Sequence, residues 1–421
     1  MADDPFRAPK GVHDVLPPDS ARWSELVGAF ARRAERAGYG LVVTPIFEHL
    51  EVFERVGATT DVVKKEMYEL EDKGGRRLAL RPEGTAPVVR AFVEHRPPVP
   101  WKVWYLAPNF RYERPQKGRY RQHWQLGVEA LGPDDPDLDV EVIALAEGFY
   151  RDVGVDASLV LNSMGDDQSR PAYIHALRAY LLEHADALGG EFRSRVEENP
   201  LRVLDTKVAE WQEVIERAPQ LTESLSDQAR KHFERVQHGL DVLGIDYTLA
   251  PRLVRGFDYY TSTTFEFVTA KLEAAQNALG GGGRYDRMAE EMGGPPTPGI
   301  GFGIGIERLL LALEAGDQAG PVRDRLDVFV VDTLGGDDGL RLLHQLREEG
   351  LRADRTAVGR SMKAQWKAAD RSGATFGVLL APDEVSREVA GVKALAGEET
   401  QVEVPLLDVA GWIKERLERD R

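Results

Sequence analysis

The densest concentration of chemically able side chains lies between Arg121 and Ala130. In extended backbone, successive side chains point to opposite faces. Arg121, His123, Gln125, Gly127 and Glu129 then share one face, and Gln122, Trp124, Leu126, Val128 and Ala130 the other. One face reads as core and the other as a row of hydrogen-bonding groups. The preceding stretch splits the same way, with Asn109, Arg111 and Glu113 opposed to Phe110 and Tyr112. A solvated outer face would carry a Lys/Glu mixture, whereas amides and a single glycine stand here. The connection Arg114-Pro115-Gln116-Lys117-Gly118-Arg119 is basic. Across Arg111–Arg121 five Lys/Arg face one Glu, a local net charge of +4. Such a patch suits phosphate oxygens.

Four further constellations accompany it. In Leu80-Arg81-Pro82-Glu83-Gly84-Thr85, Glu83 either caps the helix that follows or joins Thr85 in holding a cationic ligand group. In Arg255-Gly256-Phe257-Asp258-Tyr259-Tyr260, the tyrosines fit a core or interface, but an adjacent Arg and Asp each need a partner if buried. If a strand begins near Tyr259, then Tyr260, Ser262, Thr264 and Glu266 share a face. Gly280-Gly281-Gly282-Gly283-Arg284-Tyr285-Asp286 allows close approach of backbone to a ligand, though read alone it is a flexible turn. Gly299-Ile300-Gly301-Phe302-Gly303-Ile304-Gly305 strips one face of a strand, and Arg308 falls in the first turn of the next helix. A flat ligand would fit on that bare face beneath Arg308.

Composition excludes several alternatives. Zero cysteines among 421 residues rule out disulfides, iron–sulfur clusters, thiolate zinc sites and a Cys nucleophile. The nine histidines form no H-x-x-x-H pair, so no zinc site is expected. No Walker A sequence, no G-x-S-x-G elbow and no Rossmann strand–turn–helix unit is present. With 54 Lys+Arg against 70 Asp+Glu the net charge is −16, which argues against a surface that coats nucleic acid or membrane throughout. The acidic N-terminus lacks the apolar core of a signal peptide, and no apolar run approaches the ~18–20 residues a membrane span needs. A soluble cytoplasmic chain is expected.

The elements that must position these groups are partly legible. Trp23, Leu26, Val27, Phe30, Ala31 and Ala34 recur at helical spacing, predicting a helix over 22–37 with Ser20 as N-cap and Gly38 just past its end. Leu41-Val42-Val43 reads as a strand running into Pro45, 100–130 as strand, loop, strand, and 137–151 as helix. From about Asp166 to Leu243 helix formers dominate, which reads as a helical insertion, and strand signals return at Leu253–Val268. Glu314–Pro321 has linker composition. Strand patterns at Asp327–Val331, Phe376–Leu380 and Gln401–Val404 then alternate with helical ones at Leu340–Glu349, Ser361–Arg371 and Leu407–Leu417. A small α/β domain is implied.

Taken together and in order, the motifs closely resemble the histidyl-tRNA synthetase family over nearly the whole chain. Pro9-Lys10-Gly11 with Asp14 and Leu16-Pro17 begins the likeness. Gly40 with Thr44-Pro45-Ile46-Phe47-Glu48 resembles the class II dimerisation motif. Phe110-Arg111-Tyr112-Glu113-Arg114-Pro115-Gln116 is similar to motif 2, and Gly303-Ile304-Gly305-Ile306-Glu307-Arg308 to motif 3. The histidine-specific signatures are Leu253-Val254-Arg255-Gly256-Phe257-Asp258-Tyr259-Tyr260 and Gly282-Gly283-Arg284-Tyr285-Asp286.

The resemblance implies a mixed α/β and α+β multidomain fold. A class II antiparallel sheet with flanking helices would occupy 1–320, with a helical insertion at about 166–250. A C-terminal α/β anticodon-binding domain would occupy 321–421. It implies a homodimer and two-step ligation of L-histidine to tRNA(His) through histidyl-adenylate, with ATP and Mg2+ and no permanently bound cofactor or metal. Arg111 and Arg255 would flank the α-phosphate. Glu83, Thr85 and Gln125 would hold the α-amino group. Glu129 and Tyr260 would read the imidazole, with Tyr259 and Tyr285 lining the pocket. Glu113, Arg119, His123 and Arg308 would meet ATP, and His123 occupies the position where the family usually places a Phe against adenine. Gln116 and Arg119 would reach the tRNA acceptor end, which in this family carries an extra 5′ guanosine. Arg360 and Lys363 would contact the tRNA backbone; between Leu351 and Arg371 six Lys/Arg against two Asp give +4. Three other readings compete: a histidine-sensing regulatory paralogue, a threonyl or prolyl synthetase, and a non-catalytic tRNA-binding protein. The first would lack the Arg255-type arginine or the C-terminal domain. The threonyl enzyme needs a Cys/His zinc site. The three arginines Arg111, Arg255 and Arg308 argue against the last.

Overall fold

The computed structural model describes residues 6–57, 60, 62–204, 206, 208–253, 259–273, 277–316, 326–335, 337–396 and 400–419. The chain divides into two compact units, with the boundary between the helix Ile306–Ala315 and the strand Val328–Asp332.

The strands of the larger unit are β1 (Gly40–Leu41), β2 (Phe47–His49), β3 (Tyr68–Glu71), β4 (Arg77–Leu80), β5 (Trp101–Phe110), β6 (Gln122–Leu131), β7 (Ser158–Ser163), β8 (Tyr247–Leu249), β9 (Thr261–Val268), β10 (Ala278–Arg284) and β11 (Gly299–Gly305). An eight-stranded sheet runs β1-β5-β6-β11-β10-β9-β7-β8. It is antiparallel at its centre and parallel at its two edges, where β1 meets β5 and β8 meets β7. A separate antiparallel sheet, β2-β4-β3, leads into the helix Thr85–His95.

The alternation expected of β6 is observed. Leu126, Val128 and Ala130 are buried in the main apolar core, to which the helix Asp19–Arg36 contributes Leu26 and Phe30 and the helix Pro136–Asp152 contributes Val142, Ile143 and Phe149. Each Val, Leu, Ile or Phe side chain so buried contributes about 1.5–3 kcal/mol. That core glues helices to one face of the sheet and leaves the polar face of β6 for other work.

Several expectations are corrected. Ser20 lies inside the first helix, which begins at Asp19, while Gly38 does take a left-handed φ of 82° just beyond its end. Of the strand expected at Leu41-Val42-Val43, Leu41 lies in β1 and the Val42 N–H still donates to the Trp104 carbonyl at 2.9 Å, while Val43 falls outside it. The glycines 280–283 form no turn: they are the body of β10, in the middle of the sheet. Strand β9 starts at Thr261 rather than near Tyr259, and Ser262, at φ 43°, breaks its regular alternation. Glu314 still belongs to the helix Ile306–Ala315 rather than to a linker, and residues 317–325 lie outside the described residues.

The helical stretch expected at 166–250 divides by packing. Helices between Ser169 and Ser224 place Leu177, Phe192, Val196 and Trp211 in a second apolar cluster, which also takes in Phe53, Val89 and Phe92 and the tyrosines Tyr259, Tyr260 and Tyr285. The helix Asp227–Leu243 instead sends Phe233, Val236 and Leu240 into the main core, and β8 then completes the sheet edge.

The smaller unit contains β12 (Val328–Asp332), β13 (Ala353–Arg355), β14 (Phe376–Leu380), β15 (Val389–Ala394) and β16 (Val402–Pro405), ordered β13-β12-β14-β15-β16. Helices Asp337–Glu348, Met362–Ser372 and Val409–Arg419 accompany it. The strand β15 and the short helix Pro382–Ser386 were not expected. Among the described residues no helix is long and apolar enough to cross a membrane.

Candidate active site

The face of the central sheet opposite the helical core carries a cavity of about 380 Å³. Thr85, Gln125, Tyr259, Tyr260 and Tyr285 line it, together with Arg111, Glu113, Arg119, His123 and Arg308. Residues scattered over more than 220 positions are thus assembled by four antiparallel strands and two helix starts.

Acidic and hydroxyl groups gather at one part of the site. Glu83 does what a capping carboxylate does: it accepts hydrogen bonds of 2.6 Å from the backbone N–H groups of Thr85 and Ala86. It also lines the cavity, so the capping and ligand readings coexist in one side chain. Burial raises its pKa despite those donors.

Glu129 lies just beneath the lining, fully buried. Its Oε1 accepts from the Thr85 hydroxyl at 2.7 Å and the Tyr105 hydroxyl at 3.3 Å, and its Oε2 from the Tyr285 hydroxyl at 2.6 Å. Burial pushes the carboxyl up to about 8, against the pull of these hydroxyls, and nearby Glu83 adds to the rise. Tyr259 packs at a tilt against Tyr260 and edge-on to Tyr285, with ring centroids 4.7 and 6.2 Å away. Gln125 is held from below by Asn109, whose Nδ2 donates to Oε1 at 2.8 Å.

Guanidinium groups gather elsewhere in the cavity. The Arg111 Nε donates to the Pro82 carbonyl at 2.8 Å. Arg308 reaches across the sheet, its Nη1 donating to the Ala278 carbonyl at 2.7 Å and its Nε to the Gly118 carbonyl at 3.4 Å. Arg119 stands 4.0 Å from Glu113. Burial, and then the charges of Arg111 and Arg308, push His123 down to about 3, so its imidazole is neutral at physiological pH. Glu307 locks this region: its Oε1 accepts from the Trp124 backbone N–H at 2.8 Å, just where β11 ends and can no longer pair with β6. Burial pushes Glu307 up to about 7.

The remaining expected residues fall as follows. Arg255 lies outside the described residues. Gln116 is exposed at the tip of the loop between β5 and β6, closed by backbone hydrogen bonds between Gln116 and Arg119. Arg360 and Lys363 are exposed in the smaller unit, beside and within the first turn of the helix Met362–Ser372. The Arg284-Tyr285 pair splits: Tyr285 enters the site, whereas Arg284 is fully buried away from the cavity, 2.8 Å from Asp139 and 2.8 Å from Asp286. Asp139 in turn meets His232 at 2.9 Å. Arg81 is also structural, donating to the carbonyls of Pro108, Thr44 and Pro45.

Tyr105, Asn109 and Glu307 escaped the sequence reading as site residues. The alternation that put Asn109 and Arg111 on one face puts Tyr105 there too, and Tyr105 pairs opposite Gly127. Among the described residues no group of three or more His, Asp or Glu could hold a metal ion.

A largely antiparallel sheet, helices on one side and this cavity on the other, followed by a separate α/β unit, is the organisation of the class II aminoacyl-tRNA synthetases. Comparison with known proteins sharpens that class. The family model for histidyl-tRNA synthetase matches residues 11–309, and that for an anticodon binding domain matches residues 329–416. The histidine--tRNA ligase of Geobacillus kaustophilus (strain HTA426) is 47% identical over 424 residues, covering 99% of both chains. That of Anaeromyxobacter sp. (strain K) is 49% identical over 401 residues, covering 94% of this chain and 96% of that one. The apo crystal structure of the S. aureus histidyl-tRNA synthetase superposes with a TM-score of 0.81 at 36% identity, covering 97% of this chain and all of that one. The chain belongs to the histidyl-tRNA synthetase family.

Proposed function

We propose that the protein ligates L-histidine to tRNA(His) in two steps. A histidine carboxylate oxygen attacks the α-phosphorus of ATP, releasing pyrophosphate and leaving histidyl-adenylate. A ribose hydroxyl of the tRNA's terminal adenosine then takes the histidyl group, and AMP departs. The observation that carries this reading is Glu129: a fully buried carboxyl group beneath the cavity, backed by three hydroxyls. Such an acceptor suits an imidazole N–H. A site built to hydrogen-bond its substrate rejects analogues lacking the matching group by roughly 10⁴–10⁵.

The other roles follow the resemblance and the placement of the side chains. Glu129 and Tyr260 read the imidazole, between Tyr259 and Tyr285. Glu83, Thr85 and Gln125 hold the α-amino group; two backbone N–H bonds leave Glu83 lone pairs for an ammonium. Arg111, with Arg255, stabilises the charge developing on the α-phosphate. Arg308 runs along the adenine and γ-phosphate, neutral His123 stacks on the base, and Glu113 and Arg119 complete the nucleotide site. Mg2+ accompanies ATP as part of that substrate. Gln116 and Arg119 meet the acceptor end of the tRNA. Arg360 and Lys363 contact its backbone from the anticodon-binding domain over 321–421.

A homodimer built on the segment around Gly40–Glu48 is part of the same reading. It is supported by the exposure of Leu41, Val43, Ile46 and Phe47 at and beside the β1 edge of the sheet. A cytoplasmic location fits the three substrates.

The test is amino-acid-dependent ATP–pyrophosphate exchange against all twenty amino acids, without tRNA. Exchange with histidine alone is expected. Exchange with another amino acid removes Glu129 and Tyr260 from their roles. Histidine binding without exchange identifies a regulatory protein instead.

A further inference from the structure

The alternating glycines of β11 suggest from sequence a bare floor for a flat ligand. The floor is not bare. Glu129 lies opposite Gly301 in the β6–β11 register, and Gln125 lies opposite Gly305 with its side chain slanting back along β11. A Cβ built on Gly303 would overlap the Gln125 Nε2 and stand 2.6 Å from its Cδ and 3.1 Å from its Cγ. All three of its nearest neighbours belong to that one side chain. A Cβ on Gly301 would overlap the Glu129 Oε2, but it would also stand 2.5 Å from the Val128 carbonyl oxygen, so backbone packing demands glycine there as well. At Gly305, nothing lies within 4 Å. Of the three glycines facing the cavity, then, the middle one is kept empty for a side chain alone.

We infer that Gly303 is a positioning residue for the amino-acid end of the site, aiming Gln125, rather than part of the surface that receives the nucleotide. The inference rests on the reading that Gln125 contacts the amino acid. Gln125 is clamped from two sides. Asn109, itself fully buried, donates to its Oε1, and the missing Cβ of Gly303 lets the amide lie flat across β11. Without either, the long side chain regains its other rotamers, and the amide leaves the position where it meets an α-amino group. The three atoms nearest a methyl at 303 all belong to the Gln125 side chain, and the nearest is its flexible far end.

The experiment is a double-mutant cycle on Gly303→Ala and Gln125→Ala, read as the KM for histidine and the KM for ATP in pyrophosphate exchange, with thermal midpoints recorded. Loss of a hydrogen bond to a charged group corresponds to roughly tenfold or more in affinity. Gly303→Ala is therefore expected to raise the histidine KM by about tenfold while the ATP KM moves less than about twofold. In the Gln125→Ala background the same methyl has nothing to displace, and Gly303→Ala is expected to leave the histidine KM unchanged. A rise in ATP KM in both backgrounds would return Gly303 to the nucleotide floor and overturn the inference. So would an unchanged histidine KM in Gly303→Ala. If Gly303→Ala does not fold, the double variant decides: a folded double variant supports action through Gln125, and an unfolded one makes the glycine a requirement of the sheet. Absence of histidine exchange in the unmodified protein would instead remove the functional reading itself.

Discussion

Replacing Glu129 by Gln separates two consequences of burying one carboxyl. The first is on stability. The carboxyl ionises near 4.5 when the chain is unfolded and is pushed up to about 8 when it is folded. Between those values the folded chain holds a proton that the unfolded chain has lost, so stability falls as pH rises across the window. The slope from one such group is about 1.4 kcal/mol per pH unit, and it vanishes above the folded value. Gln carries no proton in either state and contributes no slope. Thermal midpoints of the two proteins, measured without ligand, should diverge in favour of Glu129→Gln as pH rises from about 5 to about 8, the interval that linkage defines. The second consequence is on recognition. The folded carboxyl is protonated at neutral pH, so its hydrogen bond to the ring joins neutral groups and is worth about 0.5–1.5 kcal/mol, or roughly 2–13-fold in affinity. Glu129→Gln keeps an acceptor and should lie at the low end of that range in histidine KM. Glu129→Ala removes the acceptor and should lie at the high end; it also strands the hydroxyls of Tyr285 and Thr85, a cost of about 1–3 kcal/mol to stability. ATP KM should change little in either. Parallel midpoint curves would show that the carboxyl is not held protonated, and an unchanged histidine KM would remove Glu129 from the recognition of the ring.

Arg255→Ala should slow adenylate formation by about 10²–10³, the cost of removing one preorganised donor from a developing oxyanion, while sedimentation shows an unchanged assembly. Near-normal turnover would refute the α-phosphate role. Glu307→Ala removes the acceptor that continues the β6 ladder at Trp124 and should raise the ATP KM roughly tenfold, whereas Glu307→Gln, which retains a carbonyl oxygen, should stay close to the unmodified enzyme. Equal effects of the two substitutions would show that charge, not the hydrogen bond, matters there. Arg284→Met leaves Asp139 buried with its principal partner gone and should cost about 3–5 kcal/mol of stability in chemical denaturation. A loss below about 1 kcal/mol, the worth of an exposed pair, would contradict the burial of the network.

Local alternation was enough to sort the side chains of β6 between the core and the candidate site. Along β6 the period of two separates Gln125 and Glu129 from Leu126 and Val128, and the structure buries the second pair in the main core. Tyr105 obeys the same period but is chemically ambiguous, because a tyrosine in a strand is good core material until its hydroxyl is seen to reach Glu129. The run Gly280–Gly283 misled for the opposite reason. Glycine weakens an isolated strand, so its presence in one makes sense only when the neighbours are known. A Cβ at Gly283 would stand 2.6 Å from the Thr263 carbonyl oxygen, a contact made across the sheet by residues distant in sequence. The helix Asp227–Leu243 shows its apolar face in sequence, at Phe233, Val236 and Leu240, but not the partner that covers it. The division of roles between Arg284 and Tyr285 is likewise a matter of where two adjacent side chains point as β10 ends.

The distribution of charge in the cavity has a consequence for how an amino acid can sit. Glu83 and Glu129 lie with hydroxyls and aromatic rings at one part of the site, while Arg111, Arg119 and Arg308 share another with a neutral His123. Low pKa at His123 is what allows an imidazole to face two guanidinium groups without adding a third cation. A zwitterionic amino acid placed with its ammonium toward Glu83 has its carboxylate directed to the guanidinium groups, where a triphosphate would also be drawn. Reversed, it would press an ammonium on Arg111, and like charges in a site shielded from water cost several kcal/mol. On the proposed reading, the separation that orients the amino acid would also bring its carboxylate to the phosphate, so that recognition of the substrate and alignment of the reacting atoms would be one electrostatic arrangement.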